Sequence, residues 1–239
     1  GADYSDLYYA LQQACANLGL TAGDCQQVKN ALDAVEMNSQ PAAGFNPDAP
    51  ICAAGTYPTP LFQDDMESGT SNWAITNAWS LQSGYASSPV YMWYGDDYYP
   101  SSESALTMAN GVLLPSSSSM YLHFKHAFAF EYDAGGNYDG GVLEYSTNNG
   151  TTWTDASSKF VDGQNYKGTI LNYAGTTNTL KGRNAFVRDS HGYVSSRYNL
   201  TSLGGQTVKF RWRFATDSSY YYLGWLVDDV QIYTCGVTP

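Results

Sequence analysis

Three histidines, four cysteines and a few clustered acids are the residues of this chain whose types and spacing could do chemistry. His123-Phe-Lys-His126 sets two imidazoles close together. The alternation around them is that of a strand, however, and there the two rings face opposite sides. A zinc peptidase needs both imidazoles on one side of a helix, with a Glu to activate water. That motif is absent here. Cys15, Cys25, Cys52 and Cys235 contain no Cys-x-x-Cys pair and lie far from the histidines. Disulfides in an oxidising compartment fit them better than a metal. Ser195 and Ser196 lack His and Asp partners at a recognisable spacing, so no nucleophile is expected.

Carboxylates offer more. Gln63-Asp64-Asp65-Met66-Glu67 lies on an early strand and Asp228-Asp229 on the last. In the alternation Leu226, Asp228, Val230, Ile232, Asp228 falls on the apolar face, and a buried carboxylate is costly unless paired or bound to a cation. If the first and last strands are neighbours, these acids make an oxygen cage suited to Ca²⁺. The expected ligands are Asp65, Glu67, Asp228 and Asp229; in the competing reading Asp228 caps a turn or pairs with an arginine. Glu131 and Glu144, with Asp139 between them, have the chemistry of a glycosidase acid and base, but the sequence sets no separation for them.

Aromatic residues form the remaining set. Tyr91, Trp93, Tyr94, Tyr98, Tyr99 and Tyr220-Tyr221-Tyr222 are too many to be buried together. Planar rings on a surface stack on sugars or on extended polypeptide, although Tyr also serves as an amphipathic filler over loops. Trp93, Tyr94, Tyr98 and Tyr221, with Arg197, are the expected ligand contacts.

These residues must be positioned by two kinds of element. Leu7, Leu11, Ala14, Cys15 and Leu18 recur at helical spacing, as do Val28, Ala31, Leu32 and Val35. Thr21-Ala-Gly-Asp24 is a capping-box start between them. Residues 1–37 therefore read as a helical hairpin, across which Cys15 and Cys25 can meet. Residues 38–60, with Pro41, Pro47, Pro50, Pro58 and Pro60, read as an extended linker. From residue 61 the period changes to two. Leu122, Phe124, His126, Phe128 and Phe130 alternate with polar positions, as do Val208, Phe210, Trp212 and Phe214, which is the pattern of half-buried antiparallel strands. Further strands are expected at 61–66, 79–82, 142–146, 152–154 and 226–233, with a hairpin turn at Asn148-Asn149-Gly150. The Gly-, Asn- and Ser-rich segment 155–200 reads as mostly loop. The whole is mainly β: an antiparallel β-sandwich of jelly-roll type over 61–236, preceded by the hairpin. Of the three possible cysteine pairings, Cys15–Cys25 and Cys52–Cys235 suit this layout, the second tying the start of the sandwich to its end.

Across 239 residues, 43% hydrophobic and 14% charged, there is enough apolar material for a sizeable core. A net charge of −11 argues against a nucleic-acid partner, since phosphate binding needs cations. No apolar run is long enough to cross a bilayer. The chain opens Gly-Ala-Asp rather than with Met, which reads as a fragment with Gly1 an expression scar.

Two stretches resemble known families. Ala2–Cys15 followed by Asp24–Met37 resembles the last helices of bacterial secreted thermolysin-like zinc metallopeptidases. Phe130-Glu131, Tyr138–Trp153, Gly192–Arg197 and Leu223–Ile232 are similar to the jelly-roll domain at the C-terminus of such enzymes, and distantly to MAM-type domains. The resemblance implies a non-catalytic, extracellular module, structural calcium between the first and last strands, and a parent catalytic domain as partner. Extracellular protein or polysaccharide would be its target. Because the zinc motif is missing, no zinc and no peptidase chemistry are expected of this chain. A free-standing carbohydrate-binding or adhesion module is the alternative.

Overall fold

The computed structural model describes residues 4–35, 37–38, 48–97, 101–116 and 118–237. The chain divides into two compact units, Gly1–Asn46 and Pro47–Pro239.

In the first unit, helices α1 (Tyr4–Asn17) and α2 (Ala22–Ala34) form the expected hairpin. Thr21 accepts a hydrogen bond from the backbone N–H of Asp24 and the Asp24 carboxylate reaches back to Thr21, which completes the capping box. The Cys15–Cys25 disulfide joins the helices, and Tyr8 donates to Asp33 across them. Tyr8, Cys15 and Leu32 are buried, whereas Leu7, Leu11, Leu18 and Val35 stay exposed.

The second unit contains strands β1 (Tyr57–Asp64), β2 (Trp73–Thr76), β3 (Trp79–Ser83), β4 (Tyr91–Gly95), β5 (Glu103–Met108), β6 (Val112–Leu113), β7 (Met120–Ala129) and β8 (Gly140–Ser146). They are followed by β9 (Thr154–Asp155), β10 (Phe160–Gly163), β11 (Gly168–Thr169), β12 (Asn184–Ala185), β13 (Val194–Asn199), β14 (Thr207–Ala215) and β15 (Gly224–Gly236). One sheet runs β10-β13-β7-β15-β4-β3, with β1 also on β15; the other runs β2-β5-β14-β8-β9, with β6 on β14. All these pairings are antiparallel. Fully buried rings of Trp79, Trp93, Trp212, Trp225, Phe124, Phe128, Phe130, Phe186, Phe210 and Phe214 belong to the main core cluster. Burial on this scale is what the hydrophobic strand patterning requires.

The first and last strands are neighbours, as expected, and the Cys52–Cys235 disulfide closes them. Two features differ from the sequence reading. First, β1 begins at Tyr57, so Pro58 and Pro60 lie in a strand rather than in a linker; its partner register breaks between Pro60 and Phe62, in keeping with the missing proline N–H. Residues 39–47 of the linker segment lie outside the described residues. Second, the segment 155–200, although mostly loop as expected, also contributes β13, an interior strand between β7 and β10. Its Ser195-Ser196 sequence hid it: both serines are buried on hydrogen bonds rather than on apolar contact.

Candidate functional site

Within the sandwich, a cleft of ≈ 810 Å³ opens where β3 and β4 meet the segment before β5. It is lined by Tyr94, the amides of Asn77 and Gln82, the hydroxyls of Ser80 and Ser102, and the carboxylates of Asp96 and Glu103. Tyr94 is half-buried and donates its hydroxyl to Asp96 Oδ1 at 2.9 Å, which fixes the ring in the cleft wall. Burial and this carboxylate push the Tyr94 phenol well above its ordinary value. An aromatic face beside amides, hydroxyls and carboxylates is the equipment for holding a polyhydroxylated or extended polymeric ligand.

The remaining expected ligand contacts do not gather there. Trp93 is 1% exposed and packs against Trp73 inside the core, so a surface ligand cannot stack on it. Strand alternation sends its neighbour Tyr94 outward instead. Arg197 stacks its guanidinium 3.9 Å from the Tyr121 ring centre. Tyr221 is 70% exposed on the segment between β14 and β15. Tyr98 lies outside the described residues.

Of the four acids expected to bind calcium, Asp228, Glu67 and Asp229 hold the 87–91 loop, and Asp65 closes its own turn. Asp228 accepts the backbone N–H groups of Ser87, Ser88 and Asp229, and Glu67 accepts those of Val90 and Tyr91. Asp65 accepts the N–H of Glu67, and Asp229 pairs with Lys125 at 3.0 Å. The expectation that Asp228 shares the main apolar face also changes. Asp229 takes φ 48 at a register shift between Asp228 and Gln231, a bulge that swaps the faces of the strand. Trp225 and Val227 precede it in the main core, Val230 and Ile232 follow, and Leu226 packs instead with Met92 and Ala127. Asp228 therefore sits under the 87–91 loop, in the turn-capping role.

A different acidic cluster is assembled by the topology. Gly95, Ala129, Gly140, Ala215 and Gly224 all lie at one end of the sandwich, as the pairs Trp225↔Gly95, Gly224↔Ala129 and Ala215↔Gly140 require. Asp97, Glu131, Asp139 and Asp217 lie within two residues of those termini. Carboxylate oxygens of Glu131, Asp139 and Asp217 come within 4.8 Å of one another, and all four acids are buried. Burial, then the charges of Asp217 and Asp97, raises Glu131 to about 7. Burial also raises Asp97 and Asp139, each further raised by neighbouring acids. Sequence reasoning saw Glu131 and Asp139 only as hydrolytic candidates; Asp97 and Asp217 carry no local signal.

Geometry closes off Glu144 as a hydrolytic acid and the His126–Ser196 pair as a base and nucleophile. Glu144 is gripped by Arg183, Arg211 and Arg213. Burial alone would raise its carboxyl, but the Arg183 hydrogen bond and the guanidinium charges hold it below the usual range, so it cannot serve as a proton donor near neutrality. Trp225 Nε1–H donates to His126 Nδ1, so the proton of His126 resides on Nε2 and points at Ser196 Oγ. Ser196 in turn donates to the Gln164 carbonyl. The imidazole thus donates to the serine and cannot act as its base.

The site and the two sheets define the class: an antiparallel β-sandwich of jelly-roll type with an N-terminal helical hairpin. No family model matches the sequence, and no curated protein matches it. Among solved structures, TmCBM61 in complex with β-1,4-galactotriose is 12% identical, with 71% of this chain and 94% of that one covered and a TM-score of 0.42. The K3 cleaved adhesin domain of Lys-gingipain from Porphyromonas gingivalis W83 is 18% identical, with 75% and 99% covered and a TM-score of 0.39. The CBM22-1 xylan-binding domain of Paenibacillus barcinonensis Xyn10C is 11% identical, with 80% and 97% covered and a TM-score of 0.37. These likenesses are of architecture.

Proposed function

We propose that this chain is a non-catalytic, extracellular binding module, carried at the C-terminus of a secreted zinc metallopeptidase, that docks its parent enzyme on polysaccharide or on extended polypeptide. The observation that carries the binding role is the cleft that Tyr94 lines together with Asn77, Ser80, Gln82 and Asp96. Two disulfides support an oxidising compartment. The parent enzyme is inferred from the resemblance of the helical hairpin and of the 138–153 and 223–232 stretches to such peptidases. No helix among the described residues is long and apolar enough to cross a membrane.

Depletion of the purified protein from solution by insoluble xylan, galactan, chitin and collagen tests the docking role. One polymer is expected to retain it, and Gln82→Ala, at an exposed position whose amide donates to Ser80 Oγ, is expected to weaken retention at an unchanged melting temperature. Retention undiminished by this change would place the ligand elsewhere. Absence of retention on every polymer would refute docking.

A further inference from the structure

We propose that Asp97, Glu131, Asp139 and Asp217 bind Ca²⁺ at the root of the loop 216–223, and that the ion fixes the loop carrying the exposed Tyr220 and Tyr221.

Their burial is the first ground. Asp139 is 0%, Asp97 1%, Asp217 5% and Glu131 7% exposed, and no arginine or lysine forms an ion pair with any of them among the described residues. Buried carboxylates without a counter-charge are costly, and a bound cation removes that cost. The second ground is independent of the clustering: Asp97 Oδ1, Glu131 Oε2 and Asp139 Oδ2 are buried without a hydrogen-bond partner. Native proteins rarely leave such atoms unmatched, and an ion is one of the ordinary ways of satisfying them.

The oxygens divide their work. Asp139 Oδ1 accepts the backbone N–H of Asp217 at 2.7 Å while its Oδ2 is unpartnered. Asp97 Oδ2 accepts the N–H of Tyr222 at 3.1 Å while its Oδ1 is unpartnered. Asp217 accepts from Ser219 N–H and from the Tyr173 hydroxyl. One oxygen of each of Asp97 and Asp139 thus holds the 216–223 loop; Asp139 also has a carboxylate oxygen within 4.8 Å of those of Glu131 and Asp217, and the Asp97 side chain lies against that of Asp139. An ion there would couple both ends of the loop to β7 and β8. Tyr220 and Tyr221, 78% and 70% exposed, lie between these two anchor points.

The donor set chooses the metal. It offers only oxygen, with no imidazole or thiolate, which selects a hard cation. The ligands come from four separate segments in an irregular arrangement, which Ca²⁺ tolerates and Mg²⁺, demanding a small octahedron, does not. This site is distinct from the Asp65, Glu67, Asp228 and Asp229 set, and it stands whether or not the docking role holds.

Calorimetric titration of CaCl₂ into the whole, chelator-treated chain tests it. Saturable uptake of calcium is expected, lost in Asp139→Asn and in Glu131→Gln and retained in Asp229→Asn. MgCl₂ at the same concentrations is expected to give no uptake. Both test variants keep the shape of the side chain and remove only charge, and near-ultraviolet circular dichroism checks that each is folded. Chymotryptic cleavage within 220–222 should slow in calcium for the wild type and not for the variants. The proposal is overturned by absent uptake, by uptake that persists in a folded variant, by loss in Asp229→Asn instead, by equal binding of magnesium, or by cleavage indifferent to calcium.

Discussion

Trp93 and Tyr94 stand next to each other and have opposite fates. The sequence Tyr91-Met92-Trp93-Tyr94 is aromatic or apolar throughout, so nothing in it says which face is the core. The structure buries Trp93 against Trp73 and leaves Tyr94 in the cleft wall. Trp93→Ala is accordingly expected to cost about 3–5 kcal/mol of stability, read by denaturant unfolding, rather than to remove a ligand contact alone. His126 is the other residue whose role follows from its surroundings. Its burial, with a smaller contribution from the His123 charge, depresses its pKa to about 3, and burial takes His123 to about 4. Unfolded histidines titrate near 6.5, so below that pH the unfolded chain takes up protons that the folded chain refuses. The histidine contribution to stability is then complete above about pH 6.5 and falls as the pH drops toward 4, while the raised carboxyls of Glu131, Asp97 and Asp139 act in the opposite direction. Melting series of the wild type and of His126→Gln across that window should therefore differ in slope, the variant losing less stability on acidification. The variant is also destabilised at neutral pH by about 1–3 kcal/mol, since Ser196 or Trp225 loses a partner. A slope unaltered by the substitution would show that other groups cause it.

At the scale of elements, legibility followed the strength of the alternation. The strands carrying Leu122-Phe124 and Val208-Phe210-Trp212 were readable because one face is apolar while the other is charged in β14 and mixed in β7, where His123 and Ala127 are buried as well. The capping box and the Cys15–Cys25 disulfide were readable because each rests on a short, local rule, and Cys52–Cys235 because the ends of an antiparallel sandwich were expected to be neighbours. β13 was not, since Ser195 and Ser196 fill buried positions through hydrogen bonds to Ala49, His126 and Gln164. Nor was the bulge at Asp229, which needs a positive φ that no residue type at this position announces. Sheet packing also depends on an absent side chain. A Cβ on Gly141 would come within 2.3 Å of the Trp225 ring, so Gly141→Ala is expected to overpack the core and cost about 1–3 kcal/mol. A measured loss below a few tenths would mean that Trp225 has room to move.

For the whole molecule, the sandwich and its helical hairpin were legible, while the sites were legible only in kind. Acids, tyrosines and a binding role followed from composition; their grouping did not, because strand register brings Asp97, Glu131, Asp139 and Asp217 together from four distant segments. The same register sets Tyr94 beside Asn77, Ser80 and Gln82. The central claim is that this cleft is where a polymer docks. Its most direct measurement is amide and side-chain chemical-shift mapping of the ¹⁵N-labelled protein as soluble oligosaccharides of xylan and galactan, and then collagen peptides, are added. The account predicts saturable shifts at Asn77, Ser80, Gln82 and Tyr94 with one of these ligands. Saturable shifts confined to another face, such as that of Gln63, Lys125 and Gln231, or none with any of them, would contradict it.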